Sequence, residues 1–174
     1  MDLLQTLLNR RSVRTYKEEP VKEDDLKKIL YAGLLSPTGR NRKPWEFVVV
    51  QDKDVLEKMS KSRIAGAGML SGAAAAIVVL GDEEQTDVWT EDCSIAMSNM
   101  HLMASSLGVG SCWIQGRLRE ASEGVSTEEY LRDLFGFPVN MRLEAILSLG
   151  MPDKEVIPHT LEEADESKIH WEKF

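Results

Sequence analysis

A chain of 174 residues, 43% hydrophobic and 29% charged, has enough apolar material for a sizeable core in one domain. Its 29 acidic against 21 basic residues leave a net charge of −8, which opposes general attraction to nucleic acid or to anionic membranes and favours small-molecule or protein partners. Two cysteines, Cys93 and Cys112, have neither CxxC nor metal-site spacing, the three histidines share no ligand spacing, and no signal-peptide pattern opens the sequence, so a reducing cytoplasm and no metal are expected. Uncharged runs at 64–81 and 93–116 are long enough to raise the membrane question. The first is interrupted by Gly66, Gly68 and Gly72 and the second by Asn99, His101, Gln115 and the Gly108-Val109-Gly110 break, so each reads as a buried helix, a turn and a buried strand.

In chain order, Asp2 can cap a short helix carrying Leu3, Leu4, Leu7 and Leu8, which delivers Arg10-Arg11-Ser12-Val13-Arg14 just past its end. Three guanidiniums and a hydroxyl could hold a phosphate monoester; equally, basic residues after a helix C-terminus complement the macrodipole. A helix is expected over 21–34, with Glu23, Asp24 and Asp25 in its first turn and Leu26, Ile29, Leu30 and Leu34 on its apolar face. It runs into Ser36-Pro37-Thr38-Gly39-Arg40-Asn41-Arg42-Lys43-Pro44, where two prolines stiffen a polar loop. That loop suits a ligand site as well as a plain connection. Trp45 to Val50 follows as a strand expected to be buried on both faces.

Asp52 or Asp54 can cap the next helix, and Ile77-Val78-Val79-Leu80 reads as another buried strand. Residues 87–107 are the most apolar helix candidate, without formal charge after Asp92. A helix expected to bury both faces in so small a chain suggests a subunit interface. Its methionines fit packing better than a cofactor box, and His101 fits a core or interface histidine better than a catalyst. Ser126 with Glu129 makes a capping box, Gly136 before Pro138 stops that helix, and 143–150 reads as the last strand. The apolar residues after 152 are too widely spaced for a core of their own, so this tail is expected to lie on another surface.

Taken together, these segments resemble the FMN-dependent nitroreductase family over nearly the whole chain. Arg10, Ser12 and Arg14 match its N-terminal Arg-x-Ser-x-Arg/Lys segment. The 37–45 loop is similar to its Pro-Ser-x-x-Asn-x-Gln-Pro-Trp segment, with Thr38 for the serine and Lys43 for the glutamine. The apolar helix, Gly110-Ser111-Cys112-Trp113 and Leu149-Gly150-Met151-Pro152 then follow in the family's order. The resemblance implies an α+β nitroreductase-like fold in which helices flank a central mixed sheet. Residues 1–174 would form one FMN-binding domain, assembled as an intertwined homodimer with 152–174 wrapping the partner. It also implies the cofactor contacts: Arg10 and Ser12 at the phosphate with Arg11 adjacent, and Arg14 nearer the pyrimidine edge. Pro37, Thr38, Gly39 and Asn41 would meet the flavin of the partner chain, and the backbone of Ser111, Cys112, Trp113 and Ile114 would lie along the ring. Many members add a late basic residue to the phosphate, for which Lys154, His159 and Lys168 are the candidates here.

The activity so implied is reduction of nitroaromatics, quinones or similar electron-poor small molecules with NADH or NADPH by a ping-pong mechanism. The cofactor performs the redox chemistry, no side chain acts as a catalyst, and Arg14 gives electrostatic support. FMN is expected rather than FAD, because no dinucleotide glycine fingerprint is present. A non-enzymatic flavin-binding protein with a sensory, storage or carrier role is the alternative. A nucleic-acid or phosphoprotein binder using Arg10, Arg11 and Arg14 is opposed by the net charge.

Overall fold

The computed structural model describes residues 2–174; Met1, where the expected domain begins, lies outside them. The Asp2 carboxylate accepts from the Leu4 N–H at 3.4 Å and starts α1 (Leu3–Asn9). Helix α2 (Glu23–Leu34) begins two residues later than expected and without a side-chain cap, its acidic first turn facing the positive end of the helix dipole. Strand β1 (Trp45–Val50) leads to α3 (Lys53–Met59), where Asp52 accepts from the Val55 N–H at 3.0 Å. Strand β2 (Ala75–Asp82) and helix α4 (Trp89–Ser106) come next, followed by β3 (Gly110–Gln115). A small hairpin of β4 (Glu120–Ser122) and β5 (Val125–Ser126) precedes α5 (Thr127–Phe135). Both halves of the Ser126–Glu129 capping box form, and Gly136 ends the helix in the left-handed conformation at φ 72°. The last strand is β6 (Met141–Gly150).

The four long strands pair antiparallel in the order β1-β2-β6-β3, and the parallel component is the isolated bridge between Ser12 and Ser111. Because β2 and β6 occupy the centre, nearly every residue of both is buried. Glu144 and Ser148 lie inside the protein instead of on a wet face. Strand β1 corrects an expectation: it is an edge strand with one neighbour, and Val49 is 39% exposed. A run of apolar residues is buried on both faces only where a layer covers each face, and the layers thin out over β1 at the margin of the sheet.

Two apolar layers cover the sheet. On one face α2 and α4 pack Ile29, Ala96, Met97 and Met100 against Ile77, Val79, Ala145 and Leu147. On the other α3 and α5 pack Leu56, Met59 and Leu131 against Val78, Ile146 and Leu143. At about 25 cal/mol per Å2 of apolar surface, each fully buried Leu, Ile or Met contributes roughly 1.5–3 kcal/mol. Within the single chain, helix α4 buries Cys93, Ala96, Met97, Met100 and Ala104 and leaves Ile95 40% exposed. Among the described residues no helix is long and apolar enough to cross a membrane.

Candidate functional site

The site is built where the chain leaves α1. Arg10 closes the helix, its N–H donating to the Thr6 carbonyl at 2.9 Å, and its extended backbone carries residues 11–17 across the ends of β3 and β6. Val13 N–H donates to the Ser111 carbonyl and Lys17 N–H to the Met151 carbonyl, each at 2.9 Å. The approach is this close because two facing strand residues, Gly110 and Gly150, carry no side chain. A Cβ on Gly110 would lie 2.9 Å from a Val13 methyl and 3.1 Å from the Gly150 carbonyl, and a Cβ on Gly150 would lie 2.7 Å from the Tyr16 ring. Tyr16 then locks the segment, donating to the Val13 carbonyl at 2.7 Å and meeting Ser148 Oγ at 2.7 Å. Burial pushes its phenol above the ordinary tyrosine range.

This seating presents three guanidiniums on one stretch. Arg11 donates to the Ile157 carbonyl at 3.0 Å, and the exposed Arg14 reaches the Ser12 carbonyl at 3.4 Å. Arg10 donates to Nε2 of His101 at 3.0 Å, and Nδ1 of His101 meets Ser111 Oγ. Among the described residues none of the three arginines has a carboxylate within ion-pair distance, although acidic residues outnumber basic ones. A cavity of about 290 Å3 opens beside them, lined by Arg11, Ser12, Arg14 and Lys154. Of the late basic candidates only Lys154 reaches it. His159 pairs with Glu163 at 2.7 Å and Lys168 with Asp165 at 3.7 Å.

The side chains close to the cluster are poorly suited to proton transfer or nucleophilic attack near neutrality. Burial raises the Cys112 thiol, outweighing the lowering by Arg14, Ser12 and Arg10. Burial and then the Arg10 charge hold the His101 imidazole down at about 4, so it is neutral. Cys93 lies in the core, where burial pushes its thiol up to about 12.

Strand β3 supplies the floor. Ser111 turns its carbonyl outward to Val13, so the alternation of an antiparallel pair also directs the Trp113 backbone to the open edge and engages Cys112 and Ile114 with β6. The Ile114 side chain is 1% exposed and belongs to the α3/α5 layer. Trp113 is half-buried, its indole N–H donating to Gln115 at 2.9 Å.

The structure brings Arg10, Arg11, Ser12 and Arg14 together with Ser111 and Cys112, and leaves Pro37, Thr38, Gly39 and Asn41 elsewhere in the same chain. Asp92, near the start of α4, accepts from the Gly39 N–H at 2.8 Å, and Asn99 donates to the buried Ser36 hydroxyl at 2.8 Å. Lys43 N–H closes back on Thr38 Oγ1 at 3.2 Å. Arg40, Asn41 and Lys43 all adopt left-handed backbone at φ 53°, 56° and 52°. Asp92 and His101 are separated by roughly 13 Å along the helix axis at 1.5 Å per residue. Gly39 is thus fixed near the start of α4 and Arg10 near its C-terminal half, while Ser36 at the root of the loop is held by Asn99. Sequence reasoning did not find Asp92, Asn99 or the His101 link, since each joins segments distant in the chain.

The four-stranded antiparallel sheet between two helical layers is a fold shared with solved nitroreductases. The profile described as the Nitroreductase family matches residues 7–67 and 63–151, and the chain belongs to that family. A protein of Archaeoglobus fulgidus carrying an NADH dehydrogenase/NAD(P)H nitroreductase name is 38% identical over 99% of both chains. The solved FMN-dependent nitroreductase of Clostridium difficile R20291 superposes with a TM-score of 0.95 at 40% identity, covering 98% of this chain and 99% of the other. A nitroreductase with bound FMN from Bacteroides fragilis NCTC 9343 gives a TM-score of 0.75 at 27% identity, covering 94% of this chain and 96% of the other.

Proposed function

We propose that this chain is an FMN-dependent NAD(P)H oxidoreductase working as a homodimer, with residues 1–174 forming one FMN-binding domain. The observation that carries this reading is the convergence of Arg11 and Arg14, neither with a carboxylate within ion-pair distance among the described residues, with the exposed Ser12 hydroxyl and Lys154 around one cavity that Glu155 also lines, Arg10 standing next to them at the end of α1. That donor set fits a terminal phosphate: guanidiniums offer charged, bidentate donors, while the hydroxyl and ammonium add further donors. Bound FMN would supply two-electron chemistry, accepting electrons from NADH or NADPH and passing them in ping-pong fashion to a nitroaromatic, quinone or similar electron-poor molecule.

The chain's own residues bind, orient and bias charge. Arg11, Ser12 and Lys154 would hold the phosphate end, with Arg10 beside them. Arg14, exposed and without a carboxylate within ion-pair distance among the described residues, would lend a positive charge to the bound flavin. Backbone of Ser111 and Trp113 on the open edge of β3 would be available to the ring, and Cys112 and Ile114, paired with β6, would support that strand. Without a side chain poised for proton exchange near neutrality beside the cavity, this role is electrostatic.

The second half of the site comes from the mate. Pro37, Thr38, Gly39 and Asn41 are held away from the arginines of their own chain, so they are read as completing the partner's site. Leu3, Leu4 and Leu7 on α1, Leu34 and Leu35 at the end of α2, and Ile169, Trp171 and Phe174 in the tail are all more than 45% exposed in the single chain. These surfaces supply the apolar contact area of an intertwined dimer whose segment from about 152 onward wraps the partner. Two buried free thiols are in keeping with a reducing cytoplasm.

Titrating apo protein with FMN and riboflavin, and following NADH and NADPH consumption with a quinone and a nitro compound, tests the reading. FMN should bind at least about tenfold more tightly than riboflavin, because charged hydrogen bonds contribute roughly 1.5–3 kcal/mol each. Equal affinity removes the phosphate role of the arginines, and flavin binding without electron transfer from either nicotinamide removes the enzymatic reading.

A further inference from the structure

We propose that His101 is a positioning residue for the phosphate end of the site, an uncharged acceptor that aims Arg10 at the phosphate while leaving the guanidinium charge undiminished. This rests on the reading of Arg10 as a phosphate ligand.

A guanidinium can only donate, so the 3.0 Å contact from Arg10 requires an unprotonated Nε2 on His101. The proton of the neutral ring then sits on Nδ1 and is donated to Ser111 Oγ, which fixes both the tautomer and the ring plane. His101 is 7% and Ser111 2% exposed, so this chain of contacts is built into the interior between α4 and β3. Burial and the Arg10 charge disfavour the imidazolium, which would otherwise turn an N–H toward the guanidinium.

The identity of the acceptor matters as much as its place. A half-buried arginine such as Arg10 is often held by a carboxylate, and such a pair is close to neutral toward a third group. Here the fixed partner is a neutral imidazole, so Arg10 is oriented and fully charged. A dianionic phosphate is then the natural counter-charge. The arrangement favours a phosphorylated flavin over its uncharged parent, and phosphate discrimination is the property that His101 sets.

The test measures FMN and riboflavin dissociation constants by flavin fluorescence on apo dimer for wild type, Arg10→Ala, His101→Leu, His101→Gln, His101→Glu and the Arg10→Ala/His101→Leu double variant. Arg10→Ala should lower the riboflavin-to-FMN ratio of dissociation constants at least about tenfold, the consequence of losing a charged hydrogen bond. His101→Leu should lower that ratio several-fold, and the double variant should fall no further than Arg10→Ala, as expected of residues acting in series. His101→Gln supplies a neutral acceptor and should retain most of the ratio. His101→Glu also supplies an acceptor but neutralises Arg10, and should lose it.

An unchanged ratio in Arg10→Ala removes Arg10 from the phosphate ligands and overturns the proposal for His101 with it, while the reading of the other phosphate donors is tested by the wild-type riboflavin-to-FMN ratio. A lowered ratio in Arg10→Ala with an unchanged one in His101→Leu overturns the role of His101 and leaves the phosphate reading intact. If His101→Leu does not fold, the Gln and Glu variants decide, because equal ratios for those two refute the requirement for an uncharged acceptor. A merely structural histidine would weaken FMN and riboflavin alike and leave the ratio of each single His101 variant in place.

Discussion

Adding one methyl group at Gly150 tests how the arginine segment is seated. The new Cβ would stand 2.7 Å from two atoms of the Tyr16 ring and 2.9 Å from Tyr16 Cβ, whereas carbon atoms rest at about 3.5–4.0 Å. The clashing atoms lie at the root of the side chain, so the ring cannot swing away alone and residues 12–17 must lift by roughly 1 Å. That movement stretches the Val13–Ser111 and Lys17–Met151 backbone bonds and the Tyr16–Ser148 contact together. Overpacking of this kind costs about 1–3 kcal/mol. Gly72→Ala is the matched control, because nothing lies within 4 Å of its added Cβ and both variants restrict the unfolded chain equally. Urea unfolding at fixed protein concentration should place the Gly150→Ala midpoint below that of Gly72→Ala by on the order of 1 M, given a slope of about 1–3 kcal/mol per molar. Coincident midpoints would show that the segment is loosely laid on the sheet, and would remove the geometric basis of the site.

Three other perturbations bear on separate parts of the molecule. His101 is held at about 4 against an ordinary 6.5, so its contribution to stability is complete above pH 6.5 and should be lost by about 1.4 kcal/mol per pH unit as the pH falls from there toward 4; His101→Gln should flatten that part of the stability profile. Asp92→Ala removes the acceptor of the Gly39 N–H and should cost about 1.5–3 kcal/mol while speeding hydrogen exchange in residues 36–43 and sparing 110–115, and unchanged exchange in the loop would show that α4 does not hold it. Arg14→Ala, saturated with FMN, should lower the two-electron potential by roughly 30 to 65 mV, since 30 mV corresponds to about 1.4 kcal/mol; a potential that stays put while affinity falls limits Arg14 to holding the ligand.

What could be read from the residues depended on how far apart the interacting groups lie. Asp2, Asp52, the Ser126–Glu129 box and Gly136 act within one helical turn, and their chemistry is legible in a few consecutive letters. The arginine segment was legible because its three guanidiniums are neighbours in the chain. Strand β1 was misjudged because its apolar letters do not say how far the layers will cover it, and that is settled by its place at the margin of the sheet, which depends on pairing with the distant β2. That 143–150 forms a strand was legible, but not that its central position buries Glu144, whose Oε1 accepts from Ser94 at 3.0 Å. His101 looked like a core histidine and is buried like one. Its partner Arg10 stands 91 positions earlier, and no local pattern announces a contact of that span.

Trp171 gives the chain an optical gauge of its own state. Of the four tryptophans, Trp45 is buried and stacked with Phe47, Trp89 lies under the Arg117 guanidinium, and Trp113 is bonded to Gln115, so three indoles have settled surroundings. Trp171 is 83% exposed on a tail without a core of its own. Its emission therefore reports the polarity around residues 169–174 against a steady background from the other three. Trp171→Phe subtracts that signal, and the difference spectrum follows the covering or release of the tail in the native protein without any attached dye.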